Sequence, residues 1–117
     1  MSIEGMWAAY FGDVDGKQLN SGIVVLETGR LFGGDSYIAY LGKYQIGSGR
    51  LGAVFETWAF NPTIVVSSAF GEVGPSRQTC ALEGELSDDG AIRGHVWRHS
   101  HPDLKLPLQM TKISDLP

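Results

Sequence analysis

Residues 23–44 read IVVLETGRLFGGDSYIAYLGKY. Two apolar runs flank the corner Gly33-Gly34-Asp35-Ser36, and the second run carries Tyr37, Tyr40 and Tyr44. Paired glycines after an apolar strand invite comparison with a phosphate loop, in which backbone N–H groups form an anion nest. Such a loop needs a helix after it and, in its Walker form, a Lys-Ser/Thr pair. Here Tyr37-Ile38-Ala39-Tyr40 follows, which is strand sequence. The glycines therefore read as a sharp corner, with Asp35 bonding the local backbone.

Working outward, residues 22–28 (GIVVLET) form a strand rich in β-branched side chains, and Thr28-Gly29-Arg30 turns it into Leu31-Phe32. Upstream, residues 5–11 (GMWAAYF) place Trp7, Ala9 and Phe11 on one face and Met6, Ala8 and Tyr10 on the other. Downstream, residues 37–44 continue through a polar tip at 45–49 into residues 51–60 (LGAVFETWAF). There Leu51, Ala53 and Phe55 oppose Val54, Trp58 and Phe60. Strands apolar on both faces expect cover on both, the barrel interior on one side and a second subunit on the other.

Asn61-Pro62 breaks the meander, and residues 63–70 (TIVVSSAF) suit either a strand or one short helix within 61–76. Gly71 to Ser76 reads as loop. Residues 78–86 alternate Cys80, Leu82 and Leu86 against Glu83 and Glu85; Ser87-Asp88-Asp89-Gly90 turns the chain into residues 91–98. A last strand over 104–110 puts Leu104, Leu106, Leu108 and Met110 inward, with Pro107 marking an edge, a bulge or imperfect closure. Strand and turn recur about every ten residues, the spacing of a closing meander. The expected fold is all-β: a single domain over 1–117, a small up-and-down antiparallel barrel of about eight strands.

Composition agrees. The chain has 117 residues, 43% of them hydrophobic, and sixteen glycines against five prolines, a balance that favours short strands and tight turns. A formal charge of −4 with scattered Lys and Arg removes the electrostatic footprint of direct nucleic-acid binding. One cysteine, Cys80, excludes an internal disulfide and fits a reducing compartment. The N-terminus lacks a signal-peptide pattern and no run is long enough for a membrane helix, so the expectation is a cytoplasmic protein with no membrane contact.

No catalytic constellation is visible, and the chain reads as non-enzymatic with no cofactor. Asp13-Val14-Asp15-Gly16 lacks the spaced ligands and distal Glu of a calcium loop and reads as a turn. His95, His99 and His101 lie near Asp103, but His99-Ser100-His101-Pro102 reads as the turn between the last two strands rather than a zinc site. Cys80 alternates with leucines as a small buried residue. Glu83, Glu85, Asp88 and Asp89 sit on a solvent face and a turn, outside the desolvated setting that acid–base chemistry needs. The candidate lumen-lining residues are Trp7, Tyr37, Tyr40 and Phe55, which would either fill the barrel or line a site for a small apolar ligand.

Gly5-Met6-Trp7 is similar to the Gly-x-Trp signature of lipocalins, whose Trp closes the base of an eight-stranded barrel. Over most of its length the chain also resembles the GrlR-like negative regulators of bacterial type III secretion, which are small lipocalin-like barrels. That resemblance is carried by Gly5-x-Trp7-x-x-x-Phe11, by Gly22-Ile-Val-Val-Leu26 and Gly29-Arg-Leu31, and most specifically by Leu31-Phe-Gly-Gly-Asp-Ser-Tyr-x-x-Tyr-x-Gly-x-Tyr44. Weaker matches follow at Leu82-x-Gly84 and Gly94-x-Val96. The resemblance implies a cytoplasmic homodimer that regulates transcription by binding a protein, such as a transcriptional activator. In the best-known member that contact is attributed to an acidic surface loop. The matching residues here, 45–50 (QIGSGR), contain no acid, so no partner-binding residue carries over. Gly33, Gly34, Asp35 and Ser36 carry over as a family marker alone.

Overall fold

A computed structural model describes residues 2–12, 20–68 and 71–117. Its strands are β1 (Gly5–Phe11), β2 (Asn20–Glu27), β3 (Arg30–Gly34), β4 (Ile38–Gly47), β5 (Arg50–Ala59), β6 (Val66–Ser68), β7 (Gly71–Val73), β8 (Gln78–Leu86), β9 (Ile92–Arg98) and β10 (Leu106–Ser114). Among the described residues, eight of these close an antiparallel barrel in the order β1-β10-β9-β8-β5-β4-β3-β2, while β6 and β7 form a separate hairpin between β5 and β8. The architecture is all-β and lipocalin-like.

Local chemistry sets the hairpins. Thr28-Gly29 (φ 49° and 79°) and Ser48-Gly49 (φ 54° and 73°) put two consecutive residues in the left-handed region, as two-residue turns matched to strand twist require. Thr28 is an unusual β-branched occupant of that region. The Glu4 carboxylate holds it there, accepting the Thr28 N–H at 2.6 Å and its hydroxyl at 3.2 Å.

The paired glycines fall differently from the sequence expectation. Gly33 and Gly34 are the last two residues of β3 and pair with Val24 and Ile23 on one side and with Tyr40 and Ala39 on the other. Strands β2 and β3 approach so closely there that a Cβ on Gly33 would run into the Ile23 carbonyl. The corner starts one step later. Asp35 Oδ1 accepts the N–H groups of Tyr37 and Ile38, both at 2.8 Å, and the Asp35 N–H bonds the Ile38 carbonyl at 2.9 Å.

Three other expectations are corrected. The segment 61–76 contains no helix among its described residues. Instead Val66–Ser68 pairs with Gly71–Val73, because β-branched Val65 and Val66 favour extended backbone and Glu72-Val73 supplies a partner strand in what reads as loop. Leu104 is 54% exposed in the β9–β10 connection rather than inward. Pro107 neither breaks nor bulges the barrel: it pairs with His95, its carbonyl accepts the Gly12 N–H at 3.0 Å, and the irregularity of the β1–β10 seam lies between Met6 and Trp7. The turn at Asp13-Val14-Asp15-Gly16 lies outside the described residues.

The core fills one end of the barrel. Trp7, Leu26, Leu51 and Ile92 are all at most 2% exposed. They sit toward the end bounded by the turns at Thr28-Gly29, Ser48-Gly49 and 87–91. The N-terminal segment seals that end, with Ile3 packed on the core and its carbonyl accepting the Trp7 indole N–H at 2.9 Å. A large aromatic side chain with its polar handle satisfied is well suited to such a plug.

Candidate functional site: a cavity at the mouth of the barrel

The opposite end is built by the tail of β1, the start of β2, the Asp35 corner, the end of β5, the β6–β7 hairpin and the start of β10. Here the lumen is not filled. A cavity of about 50 Å³, part open to solvent, is walled by apolar side chains including Val24, Leu31, Phe55, Leu82, Val96 and Leu108. Val73, 1% exposed, reaches into it from the β6–β7 hairpin. That hairpin is tied to the barrel through the Ala59 N–H, which donates to the Gly74 carbonyl at 2.8 Å.

The four candidates for the lumen occupy different places. Tyr40 (8% exposed) and Phe55 (8%) lie on the cavity wall with their rings edge to face, centroids 6.2 Å apart. Trp7 lies deeper, in the sealed end, outside the cavity wall. Tyr37 must be corrected: it is 54% exposed, because β4 begins at Ile38 and the preceding residue belongs to the Asp35 corner.

Polar groups gather at the mouth. The Tyr40 ring extends across the neighbouring strand until its hydroxyl lies over Gly22, where a Cβ would come within 2.8 Å of it. Glycine at 22 is what admits that hydroxyl. It donates to Asp35 Oδ2 at a long 3.4 Å, so the carboxylate that builds the corner also faces the cavity's polar rim. Burial, the Asp35 charge and this hydrogen bond together push the Tyr40 phenol well above its ordinary range and keep it a neutral donor. Directly across the β4–β5 pair from Tyr40 stands Thr57, 5% exposed and the sole buried polar side chain among the described residues. Asn20 completes the rim.

Thr57, Asn20 and Val73 escape the sequence reading. Thr57 alone left a signal: it shares the inward phase of Leu51, Ala53 and Phe55, where a hydroxyl is out of place.

Elsewhere the candidate chemistry disperses. His99 and His101 are exposed in the β9–β10 turn, where the His101 Nδ1 pairs with the Ser100 hydroxyl at 2.8 Å, and His95 is exposed on β9. Among the described residues no group of three or more His, Cys, Asp or Glu side chains could hold a metal ion. Cys80 is fully buried, and burial pushes its thiol up to about 11 against a partial offset from Arg98. Asp89 is held below the usual carboxylate range by the Arg93 guanidinium, a solvent-exposed pair. No helix among the described residues is long and apolar enough to cross a membrane.

Fold and cavity together define a class: a lipocalin-like eight-stranded antiparallel barrel with one end sealed and an apolar cavity at the other. No family model matches the chain, and no curated protein matches it.

Proposed function

We propose that this protein binds a small apolar molecule in the mouth of its barrel. The observation that carries the reading is the unfilled apolar cavity beside a well-packed sealed end. An apolar ligand placed there gains about 25 cal/mol for each Å² of apolar surface it removes from water. At about 50 Å³ the site suits a slender group or a single small ring rather than a bulky polycycle. Displacement of an apolar fluorescent dye tests the proposal. Wild-type protein should bind the dye and release it to small apolar competitors, and Ala9→Leu, which grows a side chain into the cavity, should lose binding while retaining its β circular dichroism. A wild-type protein that binds no dye and carries no small molecule in native mass spectrometry contradicts the reading.

A second reading, regulation through protein–protein contact by a cytoplasmic homodimer of the GrlR-like kind, draws support from the outer surface. Met6, Val25, Phe32 and Leu41 are successive cross-strand neighbours over β1 to β4, and Ala8, Ile23, Gly34 and Ala39 form the adjacent row. An uninterrupted outward apolar ladder favours cover by another protein surface, a second copy included. Light scattering at micromolar concentration tests the dimer: a doubled mass supports it and a monomer overturns it.

A further inference from the structure

Among the described residues of the cavity wall, Val73 alone is carried by no barrel strand. The others lie on strands of the closed sheet, each strand held by a neighbour on both sides. Val73 comes instead from β7, which pairs with β6 in a separate sheet through Val66–Val73, Ser67–Glu72 and Ser68–Gly71. A two-stranded ladder of this length is marginally stable by itself. Burial of Val73 in the mouth and of Val66 against the core therefore carries much of what holds it. The rest of the arm is disposed to leave. Gly71 and Glu72 are exposed, and a Cβ on Gly74 would find nothing nearer than Val65 Cγ2 at 3.9 Å. Neither packing nor a positive φ demands glycine at 74, so what glycine adds there is backbone freedom beside Val73. The Ala59 N–H, bonded to the Gly74 carbonyl at 2.8 Å, anchors that end of the arm, and a swing starts one residue from Val73.

Resting on the binding reading above, we infer that Val73 is a displaceable plug that sets the size of ligand the mouth admits. In the ligand-free chain its two methyl groups occupy apolar space that a ligand's own carbons would fill, for the same gain per Å² removed from water. With Val73 seated the cavity measures about 50 Å³, room for a single small ring. A fused second ring needs the volume that Val73 takes, and obtains it when Glu72-Val73 swings out between Gly71 and Gly74. The barrel wall offers no such adjustment. Phe55 is paired with Gly42 and Cys80, and Leu82 with Ala53 and Val96, so moving either residue disturbs the ladder on both flanks. Size selection thus falls to the one wall residue that lies outside the barrel sheet.

The test compares toluene with naphthalene, by calorimetry and stopped-flow fluorescence, in wild type, Val73→Ala and Leu82→Ala. Val73→Ala should raise the affinity for naphthalene relative to toluene about tenfold, the worth of two buried methyl groups. It should also speed naphthalene association, since less side chain has to leave. Leu82→Ala, which widens the same cavity from a barrel strand, should leave that rate as in wild type. A measurement on the unaltered chain runs alongside. The Val73 methyl signals, shielded from a soluble paramagnetic relaxation agent in the free protein, should become relaxed by it on saturation with naphthalene and stay shielded with toluene. Naphthalene that binds Val73→Ala and not wild type supports the plug at full strength. A naphthalene-to-toluene ratio that Val73→Ala leaves unchanged overturns the size role. Val73 methyls that stay shielded with naphthalene bound, or a Leu82→Ala association rate equal to that of Val73→Ala, overturn displacement. If toluene and naphthalene bind neither wild type nor Val73→Ala, the binding reading itself fails.

Discussion

The two ends of this barrel are made from the same strands and yet are built to opposite ends of the packing scale. At the sealed end Trp7, Leu26 and Ile92 are withdrawn completely from solvent, two-residue turns close the strands, and the N-terminal segment is bonded across the base. At the mouth the same strands surround an unfilled apolar space, the connections lengthen, and Asn20, Tyr40 and Thr57 stand among apolar side chains. The difference separates stability from function along one axis. Side chains at the base are placed to exclude everything, those at the mouth to leave room.

That contrast is breakable at its strongest point. Trp7→Ala removes the largest side chain of the sealed end and should cost about 3–5 kcal/mol in urea denaturation. Phe11→Ala, at the half-buried cavity wall, should cost only about 1–2 kcal/mol because part of its surface is already exposed. Equal costs would mean that both ends are packed alike.

The next effect is a pH dependence. Burial raises the Cys80 thiol from 9.0 to about 11 in the folded chain, so folding favours its protonated form. The stability this represents is complete below pH 9, declines as pH rises through 9 to 11, and amounts to about 2–3 kcal/mol. Tyr40, also raised, extends the loss further into alkali. Denaturant midpoints measured from pH 7 to 11 should fall in wild type above pH 9 and stay flatter to about pH 10 in Cys80→Ala. Identical profiles would place the thiol in contact with water.

The smallest effect concerns the base turn. Thr28 occupies the left-handed region at φ 49°, where a β-branched residue is strained and Asn is not. Thr28→Asn keeps the backbone N–H that bonds Glu4 and should gain about 1 kcal/mol, seen as a melting temperature a few degrees higher. A loss of stability would show that the Thr28 hydroxyl on Glu4 outweighs the strain.

The strands were legible because their signals are local. β-branched runs, period-two alternation and X-Gly turns place most barrel strands within a few residues and give the closed meander. What was misplaced depends on neighbours far away in sequence. Gly33 is needed by the close passage of β2, not by a turn of its own, and a sequence cannot separate a glycine at a corner from one at a crossing. Val66–Ser68 and Gly71–Val73 become strands only because each pairs with the other, while Leu104 shares the phase of Leu106 and Leu108 but lies before the strand begins. Tyr37 and Tyr40 looked interchangeable until the Asp35 corner fixed where β4 starts. The cavity was least legible of all, since it is volume left over among eight strands. Thr57 was its one local trace.

The central claim is that ligand space exists at the mouth and nowhere in the sealed end. Methyl-selective NMR during a titration with benzyl alcohol tests it most directly. Shifts are expected at Val24, Ile38, Leu82 and Val96 on the cavity wall, with Leu26, Leu51 and Ile92 at the base unmoved. Saturating shifts at the base, or none at the wall, would contradict it.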